Sequence, residues 1–288
     1  MHLGVGHWTL NIGNFVFMEV TRKTWPWALC LVSLFATTGS CGVASPQNQH
    51  TRQTKNPIAD FFRIQLNNNT AFGIGPHERT REALNCQLLT PVFITRSLRF
   101  VPRTLLSMAY QSDPARPEGG AFGLGDFRET LYLAYLPNEN LICAAGPVFA
   151  FPTATAKLLG TGKWLMGPDA AAVIALPPSW SFSMEIANLW SFAGDSHRMQ
   201  INSFFARPSA GYAFLFAKKL YLFTAPAFEA NWVSPADRWI VPVGGGIGFP
   251  FNIYKLAIDI STQSYWIALH PQGSADWILQ FRLQAAFT

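Results

Sequence analysis

Charge is the first thing this sequence is short of. Only 13% of its 288 residues are Asp, Glu, Lys or Arg, about half the share usual in soluble domains. Asn, Gln, Ser, Thr and Gly remain plentiful, so polarity is carried by uncharged groups and something other than water covers much of the surface. Cysteine is scarce as well. Cys30 and Cys41 lie in or beside an N-terminal apolar stretch, which leaves Cys86 and Cys143, too few for a disulfide framework. Past Thr38 the sequence has no run of about 18 apolar residues, which excludes a membrane-spanning helix there. The net charge of +5 is modest and argues for no nucleic-acid partner.

Nucleotide-binding motifs are missing too. FPTATAKLLGTGKWLMGP, Phe151 to Pro168, looks half like a phosphate loop, but Lys157 stands at the first glycine position and Trp164 at the hydroxyl position. VGGGIGFP, Val243 to Pro250, contains no G-x-G-x-x-G. Both runs need another explanation.

What is present begins with Arg22 and Lys23, followed by WPWALCLVSLFATT and the small residues GSCGVAS. Together these read as a secretory signal over residues 1–44, with Met18 an alternative start of translation. Cleavage falls after Ala44, or before Cys41 if TGSC serves as a lipoprotein signal, although Thr38 stands where Leu is usual.

Beyond the signal the hydrophobic period is two. In WILQFRLQAAFT, Trp277, Leu279, Phe281, Leu283 and Phe287 alternate with Gln280, Arg282 and Gln284. In KLAIDISTQSYW, Leu256, Ile258, Ile260 and Trp266 oppose Asp259, Ser261 and Gln263, and in RIQLNNNTAF, Ile64, Leu66 and Phe72 oppose Arg63, Gln65, Asn67 and Asn69. About twelve strands are expected, starting near residues 60, 81, 98, 125, 141, 164, 180, 200, 220, 238, 255 and 277. Their connections sort by length. GPHERT, SDPARPEGGAFGLG, ATAKLLGTGK, AGDSHRM, NWVSPAD and HPQGSAD follow odd strands, whereas TRS, PNEN, PPS, AKK and a turn around Asn252 follow even ones. Tight turns at one rim and longer loops at the other, with an even strand count, are how outer-membrane barrels are built. Trp232, Trp239, Trp266, Trp277, Tyr135, Tyr212 and Phe287 fall near strand ends, where a membrane interface favours aromatic rings. The expected fold is therefore all-β: a single antiparallel transmembrane β-barrel of about 12 strands over 57–288, after a periplasmic linker over 45–56. Gly160 and Gly162 become hairpin glycines, and Gly244 to Gly248 a strand stretch that something approaches closely.

FPTATAKLLGTGKW, NLWSFAG, FEANW, RWIVPVGGGIG and DWILQFRLQ, in this order, resemble a bacterial outer-membrane transporter family often labelled neuromedin U and related to phenol meta-pathway transporter-like proteins. The likeness runs from about Asn56 to the C-terminus, although the chain ends Phe287-Thr288 rather than on an aromatic residue. It implies localisation in the bacterial outer membrane and passive transport of small solutes, hydrophobic or aromatic compounds among them. The partners it implies are outer-membrane lipid, the solute, and the barrel-assembly machinery during biogenesis.

No cofactor, metal site or catalytic residue is expected. His77, His197 and His270 fall on loops without ligand spacing, and no G-x-S-x-G occurs. The alternatives are an outer-membrane hydrolase of phospholipase type and a structural or binding barrel. Candidate lumen residues are Arg63, Gln65, Asn67, Arg103, Arg128, Glu185, Arg207, Glu229, Asp259, Gln263, Gln280 and Arg282. Whether they line a pore or pair and plug it stays open at this level.

Overall fold

The computed structural model describes residues 62–113, 118–214, 220–234, 237–254 and 256–287. The expected signal over 1–44, the Met18 start, Cys41 and the linker over 45–56 lie outside the described residues.

Fifteen strand segments run in chain order: β1 (Arg63–Ile74), β2 (Arg79–Leu89), β3 (Val92–Phe93), β4 (Leu98–Ser112), β5 (Gly120–Leu124), β6 (Phe127–Asn138), β7 (Leu141–Phe151), β8 (Lys163–Leu176), β9 (Trp180–Gly194), β10 (Asn202–Ala213), β11 (Tyr221–Thr224), β12 (Phe228–Asn231), β13 (Trp239–Ile253), β14 (Leu256–Leu269) and β15 (Trp277–Phe287). Each pairs antiparallel with its neighbours, and β1 with β15 closes the ring. Segments β5 and β6 both pair with β4 and form one interrupted strand; β11 and β12 both lie between β10 and β13 and form another. With β3 a short addition to β4, the result is a closed twelve-strand antiparallel barrel. Closure removes every sheet edge, which a β-structure in lipid requires.

The two interruptions have local causes. At Gly125 and Asp126 the Asp126 carboxylate leaves the wall and accepts from the Thr161 N–H (2.6 Å), the Thr161 hydroxyl (2.8 Å) and the Ala154 N–H (3.2 Å). At residues 225–227, Pro226 has no N–H to give to a ladder, and the Ala225 N–H turns inward to the Tyr265 hydroxyl (2.8 Å).

The connection pattern follows the expected sorting. Residues 139–140, 177–179 and Tyr254 lie in tight turns at one rim, which also holds Arg63 and Phe287. Loops 75–78, 152–162, 195–201 and 270–276 stand at the other. Two details differ: GAFGL is strand β5 rather than loop, because it extends the pairing of β4, and the turn expected at Asn252 falls at Tyr254, whose φ is 53°. The two glycine-rich runs are explained sterically. Gly162 adopts φ +68°, and a Cβ on Gly248 would lie 2.1 Å from the Tyr221 ring.

Alternation sets the two faces. On β14, Ile260 is 49% exposed between Asp259 at 5% and Ser261 at 3%, although a sheet in water would bury the isoleucine and wet the other two. The exterior is a continuous apolar face that includes Leu106, Leu133, Ile174, Ile186, Ile247 and Leu283, with Trp164, Trp190, Trp232, Trp239, Trp266 and Trp277 towards the loop rim and Tyr135 and Trp180 towards the turn rim. Cys86 and Cys143 also point outward and are free thiols.

Candidate functional site

The polar side chains left over by that outward apolar face meet inside the barrel. All twelve of the lumen candidates turn inward; ten of them border one of two cavities, and the other two lie towards the turn rim. Arg103 on β4, Arg128 on β6 and Glu185 on β9 border one wall. Gln65, Asn67, Arg207, Glu229, Gln263, Gln280 and Arg282 border another. Arg63 and Asp259 are buried towards the turn rim, at 4% and 5% exposure.

The first wall, from β4 to β10, is packed. Arg103 donates to Glu185 Oε1 (2.7 Å), to Asp169 Oδ2 (2.8 Å) and to the Thr130 hydroxyl (3.3 Å), and its guanidinium lies 5.2 Å from the Tyr132 ring centre. Arg207 approaches Glu185 from the far side at 3.9 Å. Apolar clusters close off both ends of this network. Leu89, Val101, Tyr132, Ile142 and Val173 fill the turn-rim side, and Val148, Leu165, Leu189 and Phe205 the loop-rim side. What remains between them is a gap of roughly 80 Å³. Above it, loop 152–162 is held by Arg198, which donates to Gly160 O (2.6 Å) and Lys157 O (2.7 Å).

The second wall encloses a cavity of roughly 540 Å³. It follows β1 from Ile74 at the loop rim down to Gln65, two residues from the strand's other end. Neutral amides dominate the β1, β2 and β15 side, through Asn67, Asn69, Asn85, Gln87 and Gln280, while Ile240, Pro242, Ile267 and Ile278 add an apolar strip. Gln87, Leu105 and Arg207 border both this cavity and the smaller gap, so they form the partition. Below lies a floor. Tyr221 donates to Asp259 Oδ1 (2.8 Å), and Arg282 rests over the Phe223 ring (5.4 Å) with its Nε towards Asn67 (3.3 Å). Higher up, Tyr265 donates to Gln263 (2.8 Å), and Gln263 in turn to Gln280.

Sequence reasoning missed Asp169, Tyr132, Tyr221, Tyr265 and Arg81. Asp169 is the sole acid of β8, LMGPDAAAVIAL, and its parity with Leu165 and Val173 was the available signal. The described histidines, His77, His197 and His270, all stand at the loop rim; His270 Nε2 is 3.3 Å from Asp276 and His197 Nδ1 3.2 Å from Asp195. Among the described residues no three His, Cys, Asp or Glu gather as a metal site.

A closed, even-stranded barrel with an apolar exterior, aromatic rims and a polar interior is a transmembrane barrel of the bacterial outer-membrane kind. No family model matches the chain and no curated protein matches it. Solved structures do. The COG4313 outer membrane channel from Pseudomonas putida F1 is similar at 18% identity, over 79% of this chain and 94% of that one, with a TM-score of 0.61. NanC porin (9% identity, 78% and 99% covered, TM-score 0.47) and the CymD monoaromatic hydrocarbon channel (9%, 79% and 88%, 0.45) are more distant. The first likeness places the fold among outer-membrane channel barrels, and the chain's location is the bacterial outer membrane.

Proposed function

We propose that the chain is a passive channel for small solutes, hydrophobic or aromatic compounds among them, in line with the neuromedin U-type resemblance of its sequence. The turn rim faces the periplasm, the loop rim faces outward, and outer-membrane lipid covers the apolar exterior after insertion by the barrel-assembly machinery. Movement needs no cofactor and no covalent step.

One observation carries this reading: the large cavity tracks β1 almost from rim to rim, so a single floor of side chains separates its lower end from the turn rim. Among the described residues this floor consists of side chains, Tyr221, Asp259 and Arg282 with the Phe223 ring, rather than of a folded-in loop. The apolar strip of Ile240, Pro242, Ile267 and Ile278 suits the body of a ring compound, and the amides opposite keep the path wetted. Purified, heat-modifiable protein in a planar bilayer should give discrete conductance steps in potassium chloride. A folded barrel that inserts and stays electrically silent would overturn the channel.

A further inference from the structure

The amides that face the large cavity divide into engaged and unengaged ones. Asn67 accepts from Arg282 (3.3 Å), while Gln263 accepts from Tyr265 (2.8 Å) and donates to Gln280. Gln65, Asn69 and Gln87 line the same cavity. Among the described residues their side-chain oxygens are buried and meet no donor, and Gln65 is only 3% exposed. A buried acceptor without a donor costs stability and calls for an explanation. Three of them along one stretch of lining point to a ligand that brings the donors.

Register sets their spacing. Gln65 on β1 stands directly opposite Gln87 on β2, which puts two amides side by side, about 5 Å apart at Cβ. Asn69 stands nearer the loop rim on the same strand as Gln65, roughly 13 Å away along it. Each amide sits at the end of a rotatable side chain, so its oxygen can turn to a donor in the cavity. The kind of donor follows from the amide itself, which presents an acceptor oxygen and a donor nitrogen together. A carboxylate only accepts and an ammonium only donates, whereas a hydroxyl does both and answers an amide at both ends. The charges of the lumen meanwhile engage one another, Arg207 with Glu185 at 3.9 Å and Arg282 in the field of Asp259. The strip of Ile240, Pro242, Ile267 and Ile278 on the same cavity suits an apolar carbon body.

We propose that this cavity binds uncharged small molecules that carry neighbouring hydroxyl groups on an apolar body. Asn69 is the upper contact, and the Gln65–Gln87 pair seats two adjacent hydroxyls lower down. This site rests on the channel reading and narrows its substrate class. The probe is the cis vicinal diol of cyclohexane, compared with its dimethyl ether, which keeps the ring and loses both donors. Each is titrated into a bilayer holding the protein in potassium chloride, and the single-channel conductance is corrected for the bulk conductivity of the solution. The diol should lower the conductance with a half-effect concentration at least about tenfold below that of the ether, because a site built to hydrogen-bond a hydroxyl rejects the analogue without it. Gln65→Met should reduce this preference, and Gln65→Met with Gln87→Met should abolish it. Both variants should fold, as the heat-modifiable gel shift will report, since an apolar group of the same shape replaces an amide whose oxygen is unpaired. Conductance steps that diol and ether affect equally, or that neither affects, overturn the inference and leave the channel standing. A diol preference untouched in the folded double variant overturns the assignment to these amides, and a folded barrel without conductance overturns channel and inference together.

Discussion

One side of this lumen is packed and the other encloses a cavity, although both are built from inward-facing side chains of the same barrel. Between β4 and β10 Arg103 bridges Asp169 and Glu185, apolar clusters seal both ends, and little space remains. Between β12, β15 and β2 the polar groups are mostly amides, and a cavity of roughly 540 Å³ persists. A barrel of twelve strands lies between the size that side chains fill and the size that leaves a water channel. This one fills one side of its interior with an ion-pair network and keeps a cavity on the other. Alternation alone does not tell a packed wall from a cavity-lining one, and this interior has both.

The comparison breaks most easily at Arg103. Its replacement by Ala leaves Asp169 and Glu185 buried without their main partner, at 2% and 3% exposure, and should destabilise the barrel by about 3 to 5 kcal/mol. Urea unfolding in detergent, read by the heat-modifiable gel shift, measures this. Arg81→Ala on the cavity side should stay within about 0.5 kcal/mol, and equal costs would erase the distinction between the walls.

A second contrast runs through the wall rather than across the lumen. Ile260→Arg puts a charge on the apolar exterior and should cost about 2 to 4 kcal/mol if it lies near the midplane of the bilayer. Asn69→Ala, which removes a cavity amide whose Oδ1 makes no hydrogen bond, should cost well under about 1 kcal/mol. Parity of cost would mean that inward and outward faces are assigned the wrong way round.

The smallest effect concerns the loops over the packed side. Asp195 accepts from the His197 backbone N–H (2.9 Å), and this bond holds its carboxyl below the ordinary aspartate value. Because the folded value is the lower one, the stabilisation is present above about pH 3.9, the ordinary value, and fades as pH falls through the lowered one. Proteolysis of loop 195–201 should therefore quicken slightly in strong acid, and Asp195→Asn should flatten that dependence.

Much of this is legible from alternation. β1, β14 and β15 show it most plainly, so the period-two pattern alone places Arg63, Gln65, Asn67, Asp259, Gln263, Gln280 and Arg282 on one face. Strands β7 and β8 hide it, because their inward residues, Ile142, Ala144, Val148, Leu165 and Val173, are apolar on the packed side and resemble their lipid-facing neighbours. Asp169 is lost in that blur. Radial position is illegible for another reason: which inward side chains meet depends on pairings such as Arg103 with Asp169 and Tyr221 with Asp259, made between strands that are not hydrogen-bonded neighbours. The breaks at Gly125 and Pro226 are marked by their residues, yet nothing local shows that β5 and β11 remain in the barrel wall.

In the proposed channel, solute passes along the β1–β2 wall and not along the β6–β8 wall. Single cysteines at Asn85 and at Thr130, in a chain with Cys86→Ser and Cys143→Ser, test it directly through a charged, water-soluble methanethiosulfonate reagent added during bilayer recording. The account predicts that the cysteine at Asn85 is modified and the conductance falls, while the cysteine at Thr130, which is fully buried beside Arg103, stays unmodified and the conductance holds. Modification and block at Thr130 with none at Asn85 would contradict it.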